Sequence, residues 1–319
     1  MNANDTMKLL KPKALKRGDK VALISPASRP DGPGALARCV KVMEWMGFKP
    51  VVGQHALNTQ GFLAGSDSDR LFDLMSFFKD QSIKGIFCLS GGYGSLRLLD
   101  RIDYKVIAEN PKVLVGSDDN TALLLAINKR TNLVVFLGPN LDELNSPASF
   151  EDLQLVVGQK KPLKPLNVRI GKIAFGTVHY APVNGVVTGR LLGGNLTAIG
   201  SLMGTPFQPD FQKSILLLED RNERNDMLDR WFSTLYVSGC LSQVAGVGFG
   251  DFVNCGRKGS SNMLSLEDLF GDRLQEMKKP ACFGFPFGQS EDTYTLPIGI
   301  NASLDTNKGQ IAFLDSALI

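Results

Sequence analysis

This sequence of 319 residues has few histidines, and its cysteines are not clustered. Only two histidines are present, His55 and His179, so a mechanism that needs a histidine base has few candidates. The five cysteines are far apart, odd in number and free of any CxxC pair. This spacing argues against a zinc site and a disulfide framework, and it predicts reduced, mostly structural thiols.

Long apolar runs and concentrated positive charge are also missing. Residues 1–15 are polar and lysine-bearing, without the apolar stretch that a signal peptide or a membrane span requires. The net charge is only +3, with 35 basic and 32 acidic residues scattered along the chain. Because phosphate binding needs a concentrated basic face, nucleic acid is not expected as a partner. We expect a cytoplasmic protein with no membrane partner.

The composition that is present is that of an ordinary globular protein. Hydrophobic residues make up 43% and charged residues 21% of the chain, so extensive disorder is not expected. The length exceeds the size at which one hydrophobic core usually stops growing, which favours two domains. We predict a first domain at 1–148, a proline-bearing linker at 149–182 and a second domain at 183–319.

Apolar runs alternate with helical patterns in the first half, which is typical of a parallel sheet covered by helices. The predicted strands are Lys20–Pro26, Lys49–Val52, Lys84–Leu89, Lys112–Val115 and Leu133–Leu137. The predicted helices are Ala35–Met46, Asp67–Lys79, Ser95–Arg101 and Asn120–Lys129. The second half has strand-like runs at 215–219, 244–249 and 281–285 and one clear helix at 226–236, which predicts a smaller α/β or barrel-like domain.

Two turns each follow a predicted strand and open a predicted helix. In Ser90–Gly94, glycines would let the backbone approach a ligand, and the helix N-terminus favours an anion or an oxyanion. A tight turn that only joins strand to helix explains this segment equally well. Gly116–Thr121 has the position at which α/β hydrolases expose a nucleophile. Its polar side chains are also good helix caps, although capping needs only one of them.

A third candidate lies in the second half, where Glu219 ends an otherwise apolar run. This position places a carboxylate at a strand end, where it either faces a ligand or lies at an ordinary surface. Gly193–Leu196 is a further glycine turn in this half of the chain.

Ten short motifs occur in the order that is typical of one protein family. They are Leu15–Asp19, Phe62–Asp67 with Arg70, Gly91–Gly94, Asn110–Lys112 before Gly116, Thr121–Leu123, Gly138–Pro139, Leu192–Leu196, Gly204–Pro206, Leu218–Asp220 and Leu296–Gly299. In these motifs the chain resembles the LD-carboxypeptidase family, which includes muramoyltetrapeptide carboxypeptidases and microcin C immunity proteins. The resemblance extends from about Leu10 to the C-terminus.

This resemblance implies a flavodoxin-like, parallel-sheet N-terminal domain and a smaller β-rich, swivelling-barrel-like C-terminal domain. It places the active site in the cleft between them, often at a dimer interface. The usual chemistry of the family is serine hydrolysis between an L- and a D-centre of cell-wall tetrapeptides, and one branch cleaves acylated nucleotide-peptide antibiotics. The family pattern has a nucleophile in a Gly-x-Ser-Asp turn, a glutamate at the end of the LED strand and a histidine after the glycine of a late turn.

At two of these three positions the sequence departs from the family pattern. A gapless match puts Asp118 at the nucleophile and Gln289 at the histidine, and only Glu219 keeps the family identity. Leu137 stands where many members carry histidine, and Ser90 where arginine commonly precedes the two glycines. Glutamine cannot accept a proton at physiological pH. Loss of nucleophile and base should therefore abolish acyl-serine chemistry, at a cost on the order of 10⁴ to 10⁶ in rate.

Three hypotheses about function follow. The chain is an enzyme that acts on a muropeptide through carboxylates, with Asp118, Asp119 and Glu219 as nucleophile or base and acid. Alternatively, it is a non-catalytic protein that binds a muropeptide or peptidyl ligand. The third hypothesis is an LD-carboxypeptidase with a rearranged site. Ser117 could then substitute as nucleophile, although it points in another direction along the turn and still lacks a base.

The candidate catalytic residues are therefore Asp118, Glu219 and Gln289. The candidate residues for substrate or oxyanion binding are Gly91, Gly92, Tyr93, Ser117, Asp119 and Asn195. We expect a peptide or glycopeptide ligand, and the resemblance implies a homodimer. No cofactor or metal is expected, because the acidic groups lack a recognisable metal-ligand spacing.

Overall fold

The computed structural model describes residues 8–169, 180–256 and 264–319, and within them two β-sheets are covered by helices. The strands are β1 Lys20–Ile24, β2 Lys49–Val52, β3 Ile83–Cys88, β4 Val113–Gly116, β5 Val135–Leu137, β6 Leu166–Asn167, β7 Tyr180–Val183, β8 Val186–Asn195, β9 Ser214–Arg221, β10 Gly246–Val253, β11 Ala281–Phe283, β12 Leu296–Ile298, β13 Asn301–Asp305 and β14 Gln310–Phe313. The helices are α1 Gly32–Trp45, α2 Asp67–Lys79, α3 Tyr104–Glu109, α4 Asn120–Thr131, α5 Pro147–Gly158, α6 Leu196–Ser201, α7 Asn225–Val237, α8 Cys240–Gln243 and α9 Leu266–Glu276, with a 3-10 helix at Ser95–Arg101. His179 lies outside the described residues.

The first sheet has the strand order β2-β1-β3-β4-β5-β12. Its first five strands run parallel: Ala22 lies opposite Val51 and Ile86, and Val115 lies opposite Phe136. The order 2-1-3-4-5 is that of flavodoxin-like folds, in which ligands bind beyond the carboxyl ends of the strands. The predicted parallel-sheet domain is therefore confirmed.

One strand of this sheet comes from the far end of the chain. β12 pairs antiparallel with β5, and Pro297 lies opposite Phe136. β12 is an edge strand, and an edge tolerates a proline, which has no N–H to donate. A strand of three residues has no periodicity to detect, so the sequence identifies this segment only as the motif Leu296–Gly299.

Helix α4 is buried on two sides, and its position determines where the site can form. The helix packs against β5 of the first sheet and against α6 and β8 of the second half of the chain. This environment explains its apolar sequence from Ala122 to Ile127, which is buried throughout. The N-terminus of α4, with Asp118 just before it, therefore lies where the two halves of the chain meet.

The second sheet has the order β6-β14-β13-β8-β9-β10-β11-β7, with β8 to β11 parallel. Aromatic side chains fill the space between this sheet and helices α7 and α9. The rings of Phe249 and Phe283 stack with centroids 4.0 Å apart, and Phe270 lies 5.1 Å from Phe249 and 4.7 Å from Phe232. Burial of these large rings is a major stabilising contribution, and it packs β10 and β11 against α7 and α9. The predicted two-part α/β fold with a β-rich second half is confirmed.

Helix α5 covers the start of the stretch that the sequence predicts as a linker. Ser146 caps it by accepting a hydrogen bond from the backbone N–H of Ser149 at 3.1 Å, and Pro147 stands in the first turn, where proline is tolerated. The helix buries Leu153 and Val157. The boundaries at 148 and 182 stay a prediction, and β12 joins the sheet of the first half. Within the described ranges, each helix is too short or too polar to cross a bilayer.

Candidate active site

The turn between β4 and α4 carries Asp118. Its φ is 56°, a left-handed conformation that costs most non-glycine residues roughly 1–2 kcal/mol and that aspartate tolerates better than larger side chains. The carboxylate oxygen Oδ2 of Asp118 accepts a hydrogen bond from the backbone N–H of Gly92 at 2.7 Å. The turn therefore directs this carboxylate toward the glycine turn that follows β3.

That glycine turn fits closely around the carboxylate. A Cβ placed on Gly91 would lie 2.3 Å from Asp118 Oδ2, so only glycine leaves room for it. Gly92 has a φ of 91°, and a Cβ there would meet Ser28 Oγ at 2.3 Å. Gly91 and Gly92, which the sequence predicts to bind a ligand, contact the side chain of Asp118 in this structure.

The electrostatic setting of Asp118 favours its protonated form more than water does. Burial raises the pKa of Asp118, while the N–H of Gly92 and the positive charge of Arg221 act in the opposite direction. A carboxyl group whose pKa is raised exchanges its proton nearer to neutral pH. It can therefore act as a base or an acid more readily than an exposed aspartate.

The two residues that flank Asp118 make contacts within the protein. Asp119 accepts a hydrogen bond through Oδ2 from the backbone N–H of Ser95 at 2.7 Å, and its backbone carbonyl accepts one from the Ser95 hydroxyl at 2.6 Å. Ser117 is only 1% exposed, and within the described chain its hydroxyl has no hydrogen-bond partner. A contact between Ser117 and a ligand would require the turn to rearrange. The binding roles of both residues stay predictions.

Glu219 and Gln289 lie together on the opposite side of the cleft. Glu219 is 0% exposed, and its Oε2 accepts a hydrogen bond from the Gln289 amide at 3.3 Å. Its other oxygen, Oε1, has no partner among the described residues. Burial, followed by the charges of Asp220 and Asp118, raises the pKa of Glu219 well above its ordinary range. The sequence comparison therefore pairs two residues that the fold does bring into contact.

Asn195 has a structural role at the start of α6. Its side-chain oxygen accepts from the backbone N–H of Ala198 at 2.9 Å, and its amide donates to Asp220 Oδ1 at 3.0 Å. Asp220 also accepts from the backbone and hydroxyl groups of Thr197 at 3.0 and 2.9 Å. Asn195 is 3% exposed, so its role in ligand binding stays a prediction.

Three charged residues that are not among the predicted site residues complete the site: Asp142, Glu143 and Arg221. Arg221 donates to Glu143 Oε1 at 2.5 Å, and Ser90 donates to Asp142 Oδ2 at 2.6 Å. Burial, followed by the charge of Asp142, raises the pKa of Glu143 to about 7, although Arg221 opposes the shift. Each of the three lies within a few residues of a family motif, at Leu218–Asp220 or Gly138–Pro139. That proximity is the one signal by which the sequence could have identified them.

Two cavities meet at Arg221. One, of about 240 Å³, is lined by Tyr93, Asp118 and Asp119, together with Asn195 and Arg221. The other, of about 400 Å³, is lined by Glu143, Arg221 and Gln289 among others. Across the described ranges, no group of three or more histidine, cysteine or acidic residues has a geometry that could hold a metal ion.

A flavodoxin-like sheet, a second, mixed sheet and a cleft of strand-end carboxylates between them define a two-part α/β protein. Models of the LD-carboxypeptidase N-terminal and C-terminal domains match residues 21–138 and 188–304. The chain belongs to the LD-carboxypeptidase family.

Two named relatives illustrate this membership, and one solved structure shares the fold. A Bacillus subtilis protein named "Probable murein peptide carboxypeptidase" is 35% identical over 93% of this chain and 92% of its own length. The murein tetrapeptide carboxypeptidase of Pseudomonas aeruginosa is 31% identical over 91% of this chain and 94% of its own. The structure of MccF in complex with glutamyl sulfamoyl guanosine has a TM-score of 0.86, covers 97% of this chain and 100% of that chain, and is 24% identical, so it supports the fold alone.

Proposed function

We propose that this protein binds a peptide or glycopeptide derived from the cell wall and acts on it through carboxylates. The names of the relatives, which refer to murein peptides, support this class of ligand. Under this proposal Asp118 replaces the serine of the family pattern and Gln289 the histidine. The inherited serine mechanism is therefore lost, because an amide cannot accept a proton.

The observation that carries the proposal is the position of Asp118. This residue stands at the strand-to-helix turn where the resemblance predicts the nucleophile, and it lines the cavity of about 240 Å³. The N–H of Gly92 orients its carboxylate. A carboxylate held at the edge of a cavity can accept a proton from a substrate or attack it directly.

Glu143 is better suited than Glu219 to supply the acid. Glu219 is fully buried, whereas Glu143 is partly exposed and lines the cavity of about 400 Å³. A carboxylic acid with a pKa of about 7 is protonated in a large fraction of molecules at neutral pH. We therefore assign proton donation to Glu143 and a positioning role to Glu219, which acts through Gln289. In glycoside cleavage, two carboxyl groups divide the work in this way.

One observation favours a second candidate function, non-catalytic ligand binding. The N–H of Gly92 would be available to stabilise an oxyanion, but it donates to Asp118. The carboxylate of Asp118 thus occupies the place of an anionic group of a ligand. A protein of this kind would hold a muropeptide or another peptidyl ligand without turnover.

A rearranged serine site has less support. The Ser117 side chain is almost fully buried, and Gln289 uses its amide to donate to Glu219. Neither group is placed to form the serine and base pair that acyl transfer requires.

The first test is product analysis with the native chain and the Asp118→Asn variant. Each is incubated with purified sacculi and with a muramoyl tetrapeptide, and the products are identified by mass. New sugar ends that the variant fails to produce would support carboxylate chemistry. Binding without products would support the second candidate, and release of terminal D-alanine would support the serine route. Asp100→Asn, which alters an exposed carboxylate on the 3-10 helix, is the matched control.

On the resemblance, we further propose that the protein works as a cytoplasmic homodimer without a cofactor. Light scattering at micromolar concentration should report twice the mass of the chain, which is 34.6 kDa. A species of single mass would contradict the dimer.

A further inference from the structure

We propose that Phe62 and Tyr93 form a stacking platform for a sugar ring beside the cavity that Asp118 lines. This inference rests on the proposed function, because it names the part of a muropeptide that this side of the cleft would hold. The two residues come from separate loops, one before α2 and the other in the glycine turn after β3.

Both rings are exposed and contact each other edge to face, next to the cavity that Tyr93 lines. Phe62 is 68% exposed and Tyr93 47% exposed, with centroids 5.4 Å apart and planes at 72°. Tyr93 lines the same cavity as Asp118. Single exposed aromatic residues are common on protein surfaces, but a pair of rings at the edge of a polar cavity forms a local apolar surface. Such a surface suits a flat, partly apolar ligand group.

One hydroxyl group fixes the platform in place. Ser28 Oγ donates to the backbone carbonyl of Phe62 at 2.7 Å and accepts from the backbone N–H of Tyr93 at 3.3 Å. Gly92 packs so closely against Ser28 that a side chain there would overlap it. Because the backbones that carry both rings are tied together, little ordering is needed when a ligand stacks on them.

The charges of the cavity favour a sugar over a nucleotide. Its described lining includes the carboxylates of Asp118, Asp119, Asp220 and Glu223, with Arg221 as the cation among them. This excess of negative charge repels a phosphate group. An uncharged sugar instead offers hydroxyl donors to the carboxylates, and the C–H face of its ring can lie on the aromatic pair.

The test compares two probes on the Asp118→Asn background, so that turnover does not interfere. The probes are a muramoyl tetrapeptide and the same tetrapeptide without its sugar, titrated by calorimetry. Phe62→Ala should raise the Kd of the muramoyl tetrapeptide by about tenfold and leave that of the free tetrapeptide unchanged. Phe62→Trp should restore binding. Trp45→Ala, which removes a ring that is 66% exposed on α1, is the matched control and should change neither Kd.

Several outcomes would overturn the platform. An equal loss of affinity for both probes in the Phe62→Ala variant, or no loss for either, would show that Phe62 does not bind the sugar. Adenosine is titrated as a third ligand, and a larger loss for adenosine than for the muramoyl tetrapeptide would assign the rings to a nucleobase. A change in the oligomeric state of the Phe62→Ala variant would make the pair a subunit contact. If the Asp118→Asn parent binds neither probe, the proposed function itself fails. If the parent binds both probes with the same Kd, the proposed ligand class stands and only the sugar platform fails.

Discussion

The two sides of the cleft present their carboxylates in different ways. Asp118 follows β4 in a left-handed turn and is partly exposed at a cavity, whereas Glu219 lies within β9 and has no exposed surface. Burial raises the pKa of both groups, so the pKa direction does not distinguish them. Their access to the cavity distinguishes them. Asp118 lines the cavity and can contact a ligand, whereas Glu219 is buried and can act only through neighbours such as Gln289.

The sharpest test of this difference is a pair of matched amide substitutions. Asp118→Asn should lower turnover of the muramoyl substrate by about 10²–10⁴-fold, because it removes the group to which we assign proton exchange with the ligand. Glu219→Gln should lower turnover by less than about tenfold, because a protonated carboxyl and an amide are similar in shape and donor capacity. Both rates come from product formation measured by mass. The reverse order of effects would refute the assignment.

The next largest effect is expected from Glu143, in the dependence of activity on pH. If the protonated form of Glu143 is the acid, activity should fall as pH rises through about 7. Glu143→Gln should reduce activity by about 10²-fold and remove this alkaline limb. Rates are measured from pH 5 to 9. Glu151→Gln, on the exposed face of α5, is the control and should keep the limb. A limb that persists in Glu143→Gln would assign the acid to another group.

A smaller effect is expected on stability. The pKa of Glu219 is raised in the folded state, so folding stabilises its protonated form. That stabilisation is complete below the unfolded pKa near 4.5 and is lost progressively as pH rises above it. Between pH 5 and pH 8, the free energy of unfolding of the native chain should therefore decrease by more than that of Glu219→Gln, with a difference on the order of 1 kcal/mol or more. Urea denaturation at the two pH values measures this difference. An identical pH dependence in the native chain and in Glu219→Gln would show that folding does not raise the pKa of Glu219.

The smallest expected effect is that of Ser117→Ala. The Ser117 hydroxyl is buried and has no hydrogen-bond partner within the described chain, so its removal should change turnover by less than about twofold and stability by less than about 1 kcal/mol. Steady-state rates and thermal unfolding measure the two changes. A large loss of turnover would return Ser117 to the reaction.

Local signals in the sequence predict much of the first sheet. The bounds of β2 and α2 agree with the prediction, and α2 has a capping box in which Ser66 and Asp69 bond to each other's backbone N–H groups. The turn at Gly116–Thr121 is also predicted, because a buried strand ends there and polar helix-start residues follow.

Tertiary contacts account for what the sequence does not reveal. Arg221 and Glu143 are 78 positions apart, and their pairing depends on how the two halves of the chain meet. β12 is too short to show a period, and α5 begins with a proline in a segment whose pattern resembles a loop. The replacements that we propose at positions 118 and 289 are visible only by comparison with a family pattern, since neither residue is unusual by itself.

Covalent labelling with a fluorophosphonate, read by intact mass and peptide mapping, tests the central claim most directly. The native chain should remain unlabelled at every serine, because Asp118 and Gln289 leave no activated hydroxyl. The double variant Asp118→Ser with Gln289→His should be labelled at position 118 if the cleft keeps the family geometry. A stoichiometric adduct on Ser117 or Ser90 of the native chain would contradict the account.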